Sequence, residues 1–174
     1  MELSDILPQL ATLADAARLV QQNAIGGNTL YVRCCDPDDD RQLGRSRNHH
    51  TGEFEYGLSA LLLTPDVLLR GEPRTIEHLI VHIAERVKTD YRVAGRSWVV
   101  SGSVVGTGSD GEPLLKEVEY LAVISFQAVE DAGEVTRAKR LCDAAAEEGE
   151  RDIEDELCQE LRQVVERLTS PSAP

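Results

Sequence analysis

The chain has 174 residues, of which 41% are hydrophobic and 28% charged, the size and balance of a soluble globular domain. Its 31 acidic residues outnumber 18 Lys and Arg, for a net charge of −13. That balance argues against nucleic acid and anionic membrane surfaces, both of which are gripped through clustered positive charge. No run reaches the roughly 18 apolar residues of a membrane span, and the acidic start MELSDILPQL lacks the pattern of a secretory leader.

The first predicted element is a helix over residues 13–22. Thr12 is a suitable N-cap with Asp15 at the third position, and Leu13, Ala16, Ala17 and Val20 form an apolar stripe. Gly26, Gly27 and Asn28 end it, and residues 30–34 (LYVRC) read as a short strand. A polar segment over 35–56 follows. In it Asp36, Asp38, Asp39 and Asp40 give way to Arg41, Arg45, Arg47, His49 and His50. A loop this long in a compact domain is usually functional or disordered. Residues 57–63 return as an apolar strand, stopped by Thr64-Pro65-Asp66.

Thr75 is placed to cap a helix whose stripe is Ile76, Leu79, Ile80, Ile83, Ala84 and Val87. His78 and His82 fall four apart on its opposite face, with Glu85 a turn on, and are expected to be solvated. Residues 97–125 then read as strand, glycine-rich turn, strand and helix start, with Ser109-Asp110-Gly111 as the hairpin turn. Strict alternation sets Glu117, Glu119, Leu121 and Val123 on one face, and Val118, Tyr120, Ala122 and Ile124 on the other.

Ser125 caps a helix from Phe126 onward. A last helix has its stripe at Ile153, Leu157, Leu161, Val164, Val165 and Leu168. Between Glu130 and Glu160 twelve acids face four bases, so most of the negative charge sits in this tail. Such a face is either solvated or docks a basic partner. Cys34, Cys35, Cys142 and Cys158 lack paired metal-ligand spacing, and reduced thiols in a cytoplasmic protein are the simplest reading.

The expected fold is α+β: a small mixed or antiparallel sheet with packed helices, residues 1–132 forming the domain and 133–174 an acidic helical extension. The expected function is interaction or regulation. The expected partner is a protein, a basic one where the acidic tail docks it, or a second copy meeting the stripe between Ile153 and Leu168, with no cofactor.

Two resemblances extend this. The runs LYVR, GLSALLLTP and WVVSGSVVGTGSDGEPLL resemble an uncharacterised bacterial family of unknown function over about residues 6–132. This implies a cytoplasmic bacterial protein and no particular activity. The order of Arg33, Ser59 and the Glu117–Glu119 pair on successive strands resembles ADP-ribosyltransferase-like folds. It implies an alternative, an NAD-binding enzyme with Arg33 gripping the cofactor, assisted by Arg45 and Arg47. Ser59 would steady the nicotinamide side, and Glu119, preferred over Glu117, would act as the catalytic acid. The fuller serine motif of those folds is missing here, since Leu58 and Ala60 flank Ser59.

Overall fold

The computed structural model describes residues 2–33, 51–53, 57–90 and 96–169. In chain order these form α1 (Leu3–Ile6), β1 (Gln9–Leu10), α2 (Leu13–Ile25), β2 (Tyr31–Arg33), β3 (Leu58–Ser59) and β4 (Leu61–Leu62). They continue as α3 (Asp66–Leu69), α4 (Ile76–Asp90), β5 (Ser97–Thr107), β6 (Pro113–Ile124), α5 (Phe126–Glu147) and α6 (Arg151–Thr169). The fold is α+β. One mixed sheet runs β1-β6-β5-β2-β4, with β3 also against β6. Among the described residues only β1 pairs in parallel, and the other ladders are antiparallel.

Local chemistry accounts for the helices. Thr12 accepts from the Asp15 amide at 3.1 Å and Asp15 accepts from the Thr12 amide at 3.3 Å, a reciprocal box that starts α2. Ser125 caps α5 through the Ala128 amide at 3.1 Å and donates to the Ala11 carbonyl at 2.9 Å, fastening that helix start to the β1–α2 turn. The expected stripe of α4 is buried, with Leu79, Ile80, Ile83, Ala84 and Val87 in the main core.

That core lies between the helices and one face of the sheet, represented by Val32, Val99, Ala122 and Ile124. A smaller cluster of Tyr31, Ala60, Trp98, Val100, Leu115 and Val123 covers the other face.

The segment 57–63 is two short strands rather than one. β3 pairs with β6 and β4 with β2, so the chain crosses from one to the other at Ala60 and the sheet curls. Gly57 makes the entry, with φ +108° and the positions a Cβ would contact, on Leu114, Val105 and Leu115, only 3.1–3.2 Å away.

Strict alternation also fails along β6. Val99 pairs with Ala122 but Val100 with Tyr120, and Ser101 pairs with Glu119 but Ser103 with Lys116, so β6 carries an extra residue twice. As a result Tyr120 stands with Trp98, ring centroids 5.6 Å apart and edge-on, whereas Ala122 and Ile124 enter the main core. Leu121 joins Ala122 there, and Val123 joins the smaller cluster. At the second bulge Glu117 adopts φ +54°. Gly102 faces this bulge, where a Cβ would lie 3.0 Å from the Lys116 carbonyl.

α5 runs unbroken across position 132, with Ala132 and Val135 in the core. The stripe of α6 is only partly available for a partner. Val165 is buried and Leu161, Val164 and Leu168 pack on the core, while Ile153 is 47% exposed. Arg167 adds a 2.6 Å ion pair to Glu134.

The reading of reduced thiols is overturned at two of the four cysteines. Cys142 on α5 and Cys158 on α6 form a disulfide, with Cα atoms 5.2 Å apart. The reason is symmetry. α5 and α6 form a helical hairpin, and both cysteines are eight residues from Glu150 in its turn, so they meet. Cys34 and Cys35 lie outside the described residues.

Candidate functional site

Arg33 ends β2 and is 7% exposed, an unusual burial for a guanidinium. Its Nη1 donates to the Ser59 carbonyl. The Ser59 hydroxyl donates to Glu112 Oε1 at 3.3 Å, and Glu112 Oε2 accepts from the Asp110 amide at 2.9 Å. The Gly108 amide closes the same turn on the Glu112 carbonyl at 2.7 Å. β2, β3 and the β5–β6 turn are therefore tied by one polar chain.

This junction brings together Arg33 and Ser59, but the carboxylate there is Glu112. Arg33 pairs in register with Trp98, on the face of the smaller cluster. Glu119 pairs with Ser101, one step beyond Val100 and therefore on the opposite face. A single cleft uniting Arg33, Ser59 and Glu119, as the transferase-like arrangement requires, is not formed. The bulges are the physical cause of the divided placement along β6. Glu117 is exposed at the bulge. Arg45 and Arg47 lie outside the described residues.

Glu119 instead borders a groove of about 500 Å³ between the C-terminal end of α2 and the outer part of the β5–β6 hairpin. Its lining includes Asn23, Asn28, Thr29, Ser101 and Gly102, with Leu121 beneath. Three features set its character. First, the α2 carbonyl end points there, and a helix C-terminus carries partial negative charge. Secondly, Glu119 is exposed and adds a full one. Thirdly, β2 covers β5 only as far as Val100, so along 101–107 β6 is the ladder partner of β5 among the described residues. Val104 and Val105 on this arm are 56% and 42% exposed.

A second hollow, of about 310 Å³, lies between α4 and α5. Lys139 spans it, 3.3 Å from Glu85 and 2.6 Å from Asp143. The Asp143 hydrogen bond is the largest influence raising the Lys139 pKa, so this lysine holds its charge as an inter-helix clamp.

Of the two α4 histidines expected on a solvated face, His78 is exposed and His82 is not. His78 packs its Nδ1 3.1 Å from the Thr75 hydroxyl at the helix start. His82 is half-buried, and its Nε2 is enclosed with no hydrogen-bond partner among the described residues. Desolvation, then the nearby Arg86 charge, push its pKa below the usual histidine value, against the Leu63 backbone, Glu85 and Asp66. No group of three or more metal-ligating side chains occurs among the described residues, and no helix there is long and apolar enough to cross a membrane.

Fold and site define an α+β protein with a curled mixed sheet and a polar groove beside a projecting hairpin. The chain belongs to a protein family of unknown function, DUF6098, which matches residues 4–149. The match takes in all of α5 and reaches further than the 6–132 expected from the motifs; α6 lies beyond it. No characterised protein and no solved structure gives a significant match.

Sequence reasoning missed Glu112, Asn23, Asn28 and Ser101. The turn SDGE did hold a cue for Glu112, because a carboxylate just after a tight turn is placed to accept that turn's amides. The groove residues carried none, since only the bulged register of β6 brings Glu119 beside the end of α2.

Proposed function

We propose that this protein is an interaction module of the bacterial cytoplasm that holds an extended, basic segment of a protein partner in the groove beside β5. The observation that supports the reading is the coincidence of an edge of β5, along 101–107, that pairs with no strand other than β6 among the described residues, with a groove of negative character. An extended segment laid along 101–107 would gain main-chain hydrogen bonds from the edge, with alternate side chains directed to the groove. Lys or Arg in that segment would meet Glu119 and the α2 carbonyl end, and apolar residues would meet Val104 and Val105.

Charge selects the class of partner. A second copy would bring another −13, so self-pairing through this edge works against long-range repulsion, whereas a basic segment is drawn in. On α5, Phe126 and Leu141 are 67% and 54% exposed. They sit fifteen positions apart on that helix, about 22 Å along its axis, and so form no joint patch with each other.

Selection from a displayed library of random nonapeptides tests the proposal. The expected outcome is enrichment of sequences alternating Lys or Arg with Val or Ile, whose binding to the purified chain weakens with salt. Enrichment of acidic or helical motifs, or binding unaffected by Glu119→Lys, would contradict it.

A further inference from the structure

We infer that Cys142–Cys158 is a reversible redox latch that sets the order of the first half of α6. The inference is independent of the groove.

The two ends of α6 are held by different means. Its C-terminal half is anchored by apolar packing through Leu161, Val164, Val165 and Leu168, and by the Arg167–Glu134 pair. Its N-terminal half has little of this: Ile153 is 47% exposed, Leu157 is half-buried, and the surrounding positions are acidic. The disulfide lies in this weakly packed half. It therefore restrains a segment that packing alone holds poorly, and opening the bridge frees that segment while the anchored half stays in place. The bridge also joins family and non-family parts of the chain, because Cys142 falls inside the matched residues 4–149 and Cys158 beyond them.

The two cysteine residues differ in exposure. Cys142 is 8% exposed, whereas Cys158 is half-buried. Oxidation thus begins at Cys158. Its thiolate attacks one oxygen of a peroxide, breaking the O–O bond and leaving a sulfenic acid with release of water after protonation. The Cys142 thiol then attacks that sulfur, the S–S bond forms, and a second water leaves. Two thiols lose two electrons and two protons, and one hydrogen peroxide becomes two waters. Reduction runs through Cys158 as well: an external dithiol attacks it, expels the Cys142 thiolate, and closes its own disulfide.

Glu154 and Asp155 lie one turn before Cys158 and Arg162 one turn after it, on a chain of net charge −13. Hydrogen peroxide is neutral, so its approach does not depend on the sign of that field.

The test uses the full chain, reduced with dithiothreitol and freed of it. A stoichiometric dose of hydrogen peroxide should lower the intact mass by two hydrogens, with no disulfide-linked dimer, and dithiothreitol should restore it. Hydrogen exchange should then be at least about tenfold faster across 151–158 in the reduced chain, with 161–169 unchanged. Cys158→Ser, at the less buried position, should show the fast pattern under either condition. Failure of peroxide to close the intrachain bridge, equal exchange in both states, or loss of protection across the whole of α6 would each overturn the latch.

Discussion

Replacing Arg33 by Met separates a structural tie from a ligand grip. The side chain is 7% exposed and its Nη1 serves the Ser59 carbonyl. Met keeps much of the aliphatic volume and removes the charge. A hydrogen bond to a charged group contributes roughly 1.5–3 kcal/mol net. The gain from no longer burying a guanidinium works in the other direction, since apolar replacement of buried charge is often neutral. Here the first effect should win, because the substitution leaves the Ser59 carbonyl without that donor and loosens the junction of β2, β3 and the hairpin turn. The expected loss is about 2 kcal/mol. With a urea dependence of about 2 kcal/mol per molar, the unfolding midpoint should fall by about 1 M. Peptide binding in the groove should be unchanged, Arg33 being on the opposite face from Glu119. An unmoved midpoint would refute the structural role, and an unmoved midpoint with lost ligand binding would restore Arg33 as a binding residue.

Ile83→Ala, at a fully buried position of α4, should lower stability by ~2–5 kcal/mol through lost transfer energy and a cavity, read by chemical denaturation. His82 is held neutral by desolvation and Arg86, so its folded pKa lies below the usual 6.5. The stability it permits is therefore fully present above pH 6.5 and lost as pH falls through the folded pKa, because the unfolded chain binds the proton more readily. His82→Gln should flatten that acid limb of the stability profile, and an identical slope in the variant would exclude His82 as its source. Deleting residues 151–174 uncovers the core surface beneath Val165 and should lower the midpoint and promote aggregation, measured by light scattering.

The helices were legible because their physics is local. The Thr12–Asp15 box and the stripe from Ile76 to Val87 follow from spacing alone, and both stand in the structure. The β5–β6 hairpin was equally legible, its SDG turn and long apolar runs lying next to each other in sequence. Faces along β6 were not. Alternation places Tyr120 and Ala122 together, and one extra residue puts them on opposite sides. The break at Ala60 escaped for a related reason: GLSALLL is uniformly apolar, so nothing in it marks a change of ladder partner.

At the site, the order of Arg33 and Ser59 on successive strands did not disclose that Arg33 Nη1 donates to the Ser59 main-chain carbonyl, a group that any residue could supply. The cysteine pair was hidden by distance in sequence, although its symmetry about the α5–α6 turn marks the contact once that hairpin is known.

The most direct measurement is a nuclear magnetic resonance titration of the isotopically labelled chain with a selected basic nonapeptide. Amide shifts concentrated at 101–107 and at Asn28 and Thr29, with affinity lost in Glu119→Lys and falling as salt rises, are the predicted result. Shifts centred on α6 or on the junction of Arg33 and Glu112, or binding indifferent to the charge at position 119, would contradict the groove as the partner site.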